Sequence, residues 1–153
     1  MKGYTMHYII CGFSGVGKST AEQKAKNIFD FESSGYSHDF TSPVPMRNTE
    51  FPRNYVDAVI EHMEEHHNCI YLLSCHEEVR KELKSRGIDY IIVMPDYDQR
   101  NEYTKRWLKR GSSLDFIGSM FNRWDEMITS CEEDDAPKIY LSENEYVFDV
   151  LPG

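Results

Sequence analysis

Gly12-Phe13-Ser14-Gly15-Val16-Gly17-Lys18-Ser19-Thr20 is the stretch that decides the fold. It satisfies Gly-x-x-x-x-Gly-Lys-Ser/Thr, the P-loop pattern, and its flanks suit that reading. Upstream, Met6 to Cys11 reads as a strand around the apolar run His7-Tyr8-Ile9-Ile10-Cys11. Downstream, Ala, Lys, Glu and Gln predominate, and a helix is expected to run to about Asn27. Glycines at 12, 15 and 17 let successive N–H groups converge on one anion, and the helix N-terminus adds partial positive charge there. The expected phosphate-binding set is Gly12, Ser14, Gly15, Val16, Gly17, Lys18, Ser19 and Thr20. Lys18 reaches the outer phosphates, the Ser19 hydroxyl ligates a magnesium ion, and Thr20 supports the first helical turn. The cofactors this implies are ATP and Mg2+.

Working outward, 153 residues suffice for one domain spanning 1–153 and one core. A formal net charge of −9 disfavours a general nucleic-acid or membrane coat, though it leaves room for a local basic site. No apolar run is long enough to span a bilayer. Met1-Lys2-Gly3-Tyr4-Thr5 lacks the apolar core of a signal peptide. The four cysteines, Cys11, Cys69, Cys75 and Cys131, form no C-x-x-C pair. They read as reduced, mostly buried thiols of a cytoplasmic protein, and Cys75-His76 alone is a weak zinc signal.

Past the loop, Ile28 to Glu32 alternates and suggests a second strand, placing Asp30 and Glu32 on one face. Tyr36 to Pro52, with Pro43, Pro45 and Pro52, reads as an irregular loop that shapes a site. A helix is expected from Arg53 to His67, buried through Val56, Val59, Ile60 and Met63. Strand Cys69 to Leu73, helix His76 to Arg86 with Val79 and Leu83 inward, and strand Asp89 to Met94 follow. A helix from Asp98 to about Arg110 breaks at Gly111. One long helix from Leu114 to Cys131 has the strongest apolar stripe. Lys138 to Leu141 reads as a core strand and Tyr146 to Leu151 as an extended end. Strands alternating with helices predict an α/β, three-layer P-loop NTPase fold with a mostly parallel sheet flanked by helices. Ligands of such sheets sit beyond the carboxyl ends of the strands.

Charge adds candidates. Arg100, Lys105, Arg106, Lys109 and Arg110 put five of 17 basic residues into one stretch of an acidic chain. Arg106 and Arg110 share a helix face. They read either as catalytic cations of a lid at about 100–113, closing on the γ-phosphate, or as a solvated face with pairs such as Glu102 with Arg106. Arg123 is a third cation or a surface arginine. Asp30 and Glu32 are candidates for magnesium binding or for the base that takes the acceptor proton, with Glu32 ahead because it is nearer the strand tip. Arg47 and Arg53 are acceptor-binding candidates or surface charges. His62, His66 and His67 read as helix C-terminal residues favoured by the dipole, and His76 as a weak site candidate.

The order of P-loop, acceptor-side helix, strand ending Met94-Pro95-Asp96 and arginine-bearing helix resembles the nucleoside monophosphate kinase group of P-loop kinases. Within it, Gly12 to Thr20, Asp30-Phe31-Glu32-Ser33-Ser34, Asn54-Tyr55-Val56 and Arg106 to Gly111 are similar to compact nucleotide-kinase-like proteins carried by bacteriophages. The resemblance implies an ATP- and magnesium-dependent kinase acting in the cytoplasm on a nucleoside or deoxynucleoside monophosphate. It gives Lys18 and Ser19 the phosphate and magnesium roles, makes Arg106 and Arg110 lid arginines, and makes Arg53 an acceptor-phosphate contact. One departure is that the strand before Ser74-Cys75-His76 lacks a following aspartate. Alternatives are a nucleoside triphosphatase, a regulatory ATP-binding module, or a kinase of nucleic-acid 5′ ends or another small-molecule hydroxyl.

Overall fold

The structure is a computed structural model, and residues 7–39 and 46–151 are described. Met1 to Thr5, Met6 and the prolines at 43 and 45 lie outside the described residues. Five strands form one parallel sheet in the order β2-β5-β1-β6-β7. They are β1 (Tyr8–Gly12), β2 (Ile28–Phe31), β5 (Ile70–Ser74), β6 (Ile91–Pro95) and β7 (Lys138–Leu141). β1 lies at the centre, with Ile10 opposite Leu72 of β5 and Ile91 of β6. β1, β5 and β6 are near-continuous apolar runs because helices cover the sheet, leaving no polar alternation. The parallel sheet flanked by helices is the fold class expected from the sequence.

The helices are α1 (Lys18–Lys24), α2 (Ser34–Ser37), α3 (Arg53–Glu65), α4 (Glu77–Ser85), α5 (Arg100–Lys109), α6 (Leu114–Asn122) and α7 (Trp124–Glu133). α1 stops three residues before the expected Asn27. The Asn27 carbonyl instead accepts from Ile70 N at 2.8 Å, which ties the entry of β2 to β5. The stretch expected to be irregular takes in the end of α2 and a short antiparallel pair, β3 (His38–Asp39) with β4 (Met46–Arg47).

Two expectations are corrected. The long helix from Leu114 to Cys131 is two helices broken at Arg123. Trp124 turns inward there. Its indole N–H donates to the Tyr97 carbonyl at 2.8 Å, and its ring packs on Phe13, Tyr103 and Trp107. Leu114 and Phe121, read as part of the buried stripe, are exposed. The end of the chain is also not extended. Val147–Val150 is a 3-10 turn, closed by Tyr146 N donating to Asp149 Oδ2 at 2.8 Å.

Away from the loop, Arg80 and Asp134 make a buried ion pair at 2.9 Å between α4 and the end of α7. Lys84, the Tyr90 hydroxyl and Ala136 N also donate to Asp134, holding its carboxyl well below the ordinary range against the effect of burial. Among the described residues no helix is long and apolar enough to cross a membrane.

Candidate phosphate-binding site

The glycine loop leaves β1 at Gly12 and enters α1 at Lys18. Gly15 and Gly17 have φ of 97° and 92°, the left-handed region that L side chains rarely adopt. Space imposes glycine there as well. A Cβ on Gly15 would lie 3.0 Å from Tyr103 Cδ2, and one on Gly17 would lie 2.9 Å from Tyr146 Cδ1.

Three consecutive loop carbonyls are held from one side. Ser14 O accepts from Trp107 Nε1 at 3.3 Å, Gly15 O from Arg106 Nη1 at 3.0 Å, and Val16 O from Val147 N at 2.8 Å. In a trans peptide the carbonyl of one residue and the N–H of the next point in opposite directions. The N–H groups of Gly15, Val16 and Gly17 are therefore turned away from α5 and the chain end. Val16 N is used within the loop, on Phe13 O. Beyond it begin the unpaired N–H groups of the first turn of α1, which has Gly17 as its N-cap and no capping side chain. The loop thus has a braced back and an open donor face.

Lys18 folds over the loop, with Nζ donating to Gly12 O at 2.9 Å. Burial lowers its pKa, and the carboxylates of Asp30 and Glu32 oppose that shift while Arg110 adds to it. Those three side chains lie within electrostatic reach of the ammonium. Asp30 is the penultimate residue of β2, half-buried, with Oδ1 unpartnered and its N–H donating to Glu22 Oε2 at 2.7 Å. Burial raises its pKa, with Lys18 opposing. Glu32 is exposed, and its Oε1 accepts from Ser34 N at 2.9 Å at the start of α2. Arg110, exposed at the end of α5, donates through Nη2 to Ser14 Oγ at 3.1 Å and feels the Glu32 carboxylate. Ser19 and Thr20 are exposed on the first turn of α1.

Not every sequence candidate converges on the loop. Arg106 is buried at 7% exposure behind it, with Nη2 also on Glu145 O at 2.7 Å. Its guanidinium lies between the rings of Tyr103 and Tyr146, 4.4 and 4.0 Å from their centroids. A buried arginine so held supports the loop backbone in this conformation and does not extend over its donor face. Arg47 makes a bidentate pair with Glu78 at 2.7 Å, and Arg53 pairs with Glu50 at 3.2 Å. Arg123 is exposed, 4.0 Å from Glu126, and acts electrostatically on His76.

The back of the loop was missed in the sequence. Tyr103, Arg106 and Trp107 recur at helical spacing on α5, the signature of a buried face that the charge of Arg106 masks. Tyr55 was also missed. Its hydroxyl donates to Phe31 O and accepts from Ser74 N at 3.1 Å, tying the ends of β2 and β5 together next to the site.

A P-loop at the carboxyl edge of a parallel five-stranded sheet defines the class: this is a P-loop NTPase fold. Among solved structures it is similar to the tunicamycin resistance protein of Deinococcus radiodurans. The TM-score is 0.56 at 18% identity, over 90% of this chain and 86% of that one. No protein-family model and no curated protein sequence matches the chain.

Proposed function

We propose that this protein is an ATP-dependent phosphotransferase acting on a small molecule. The observation that carries this reading is the loop itself: three carbonyls fixed behind it, an uncapped first turn of α1 beyond it, and Lys18 and Arg110 bonded to its Gly12 carbonyl and Ser14 hydroxyl. A triphosphate would take the free N–H groups of the loop and of the first turn of α1. Lys18 would exchange Gly12 O for phosphate oxygen. Arg110, anchored through Ser14 Oγ, is placed to hold charge that develops on the transferring group. The exposed Ser19 hydroxyl on the first turn and the exposed Glu32 carboxylate are hard oxygen donors that suit magnesium and would hold the ion, which when bound neutralises phosphate charge.

The acceptor follows from the same groups. A nucleoside monophosphate attacks through an already ionised oxygen and needs no base. Its phosphate needs cations, and the exposed Arg53–Glu50 pair is weak enough to exchange for it. A hydroxyl acceptor needs a base, and Asp30, raised by burial and unpartnered at Oδ1, is suited to that task. Asp30 favours the hydroxyl. The structural neighbour, named for resistance to tunicamycin, makes that compound a sensible member of the acceptor panel.

The test is ADP release from ATP and magnesium, with and without nucleosides, ribo- and deoxynucleoside monophosphates and tunicamycin. Stimulation by one acceptor, lost in Lys18→Ala with the fold intact by circular dichroism, is the expected result. ADP release indifferent to every acceptor would replace this reading with a triphosphatase. Undiminished turnover in Lys18→Ala would remove the P-loop from the mechanism.

A further inference from the structure

We propose that Cys75 and Cys131 form a reversible disulfide beside the phosphate-binding loop, with hydrogen peroxide as oxidant. Their Sγ atoms already touch, at 3.5 Å, although 56 residues separate them. Both are free thiols here. The contact is held by a clamp. Arg80 donates from Nε to Cys75 O at 3.1 Å and from Nη1 and Nη2 to the carbonyl and hydroxyl of Ser130 at 3.3 and 2.7 Å. One buried guanidinium thus grips Cys75 itself and the residue immediately before Cys131. Asp134 fixes the same guanidinium. The two sulfurs are in register because their backbones are tied to a common side chain.

Hydrogen bonding and the Arg80 charge give the two touching thiols different roles. Cys131 is 2% exposed on α7, whereas Cys75 is half-buried in the turn between β5 and α4. The hydrogen bond from Cys75 favours thiolate on Cys131, burial opposes it and Arg80 supports it. In the first step the Cys131 thiolate attacks one peroxide oxygen and the O–O bond breaks. Cys131 becomes a sulfenic acid, and the departing oxygen leaves as water after taking a proton. Cys75 Sγ then attacks the Cys131 sulfur. The S–S bond forms, and the hydroxyl departs with the Cys75 proton as a second water. Two thiols lose two electrons and the peroxide gains them. Bonding at about 2.0 Å draws the sulfurs together by about 1.5 Å. Cys75 lies next to Ser74, which is bonded to Ser33 Oγ and Tyr55. Closure therefore displaces the strand end that borders the loop.

The experiment treats the full chain with a small excess of hydrogen peroxide, blocks remaining thiols, and maps the digest by mass spectrometry without reduction. The expected result is a linked Cys75–Cys131 peptide pair, lighter by two hydrogens, that dithiothreitol reverses. The pair is absent in Cys75→Ser, where a sulfenic-acid trap labels Cys131. Cys75 is half-buried, so that variant keeps the test valid if Cys131→Ser fails to fold. All four thiols still free, a link through Cys11 or Cys69, or oxygen gained at Cys75 without linkage would each overturn the proposal. The effect on turnover rests on the phosphotransferase reading: peroxide lowers acceptor-stimulated ADP release in the wild type and not in Cys75→Ser. Mapping is independent of activity, so a missing kinase and a missing disulfide are told apart.

Discussion

Replacing Arg106 with alanine separates a brace from a lid. The side chain is buried and donates to Gly15 O at 3.0 Å, Glu145 O at 2.7 Å and the Tyr103 hydroxyl at 3.2 Å. Hydrogen bonds to a charged group contribute about 1.5–3 kcal/mol each. The cation–π contacts add on the order of 1 kcal/mol. Some of this was spent on desolvating the guanidinium, so a net loss of about 4 kcal/mol is expected. At about 2–4 °C per kcal/mol for a chain of this size, Tm falls by roughly 8–16 °C. Arg106→Lys keeps the charge but not the fork that spans two carbonyls, and is expected to lose about half as much. Thermal unfolding followed by circular dichroism measures this, with ATP affinity measured alongside. Affinity should fall with stability because Gly15 loses its support. The reasoning is refuted if Arg106→Ala melts within about 2 °C of wild type yet loses kcat at unchanged ATP affinity. That pattern would make Arg106 the mobile cation that its charge first suggested.

Other outcomes follow from the same geometry. Arg110→Ala should leave Tm nearly unchanged and lower kcat about 10²-fold in steady-state assays, because its guanidinium is exposed and anchored to one loop hydroxyl. Asp30→Asn should raise Tm at neutral pH while lowering turnover. Its folded pKa is raised, so the ionised form is the less stable one above that pKa, and amidation removes the penalty. A Tm that falls in Asp30→Asn would mean that attraction to Lys18 outweighs burial. For His62, burial and then the nearby His66 charge lower the pKa, and its Nδ1 is 2.8 Å from the Tyr71 hydroxyl. Just below pH 6.5 the unfolded chain then binds more protons than the folded one. Stability should decline as pH falls through that window, and His62→Gln should flatten the slope in denaturant melts.

The sequence was most legible where one residue type is demanded by one local conformation. Gly15 and Gly17 could be read from the motif because a positive φ and a missing Cβ leave no alternative. The apolar runs at β1, β5 and β6 were legible because strands covered on both faces show no polar alternation. The end of α6 was not legible. The stripe from Leu114 to Cys131 has unbroken helical periodicity, and the break at Arg123 arises only because Trp124 finds Tyr97 O and three rings outside its own helix.

By itself the sequence determined the alternation of strands and helices, the glycine loop, and the carboxylates at the end of β2, since these depend on residue types at fixed local spacing. Tertiary structure decided which charges face the loop. Arg106 and Arg110 are one turn apart on the same helix. The first is drawn behind the loop, between Tyr103 and Tyr146, because Glu145 O, 39 residues away, completes its bonding. The second stays at the helix end near Glu32. Only the folded chain supplies the partner that divides two like charges into a buried brace and an exposed cation.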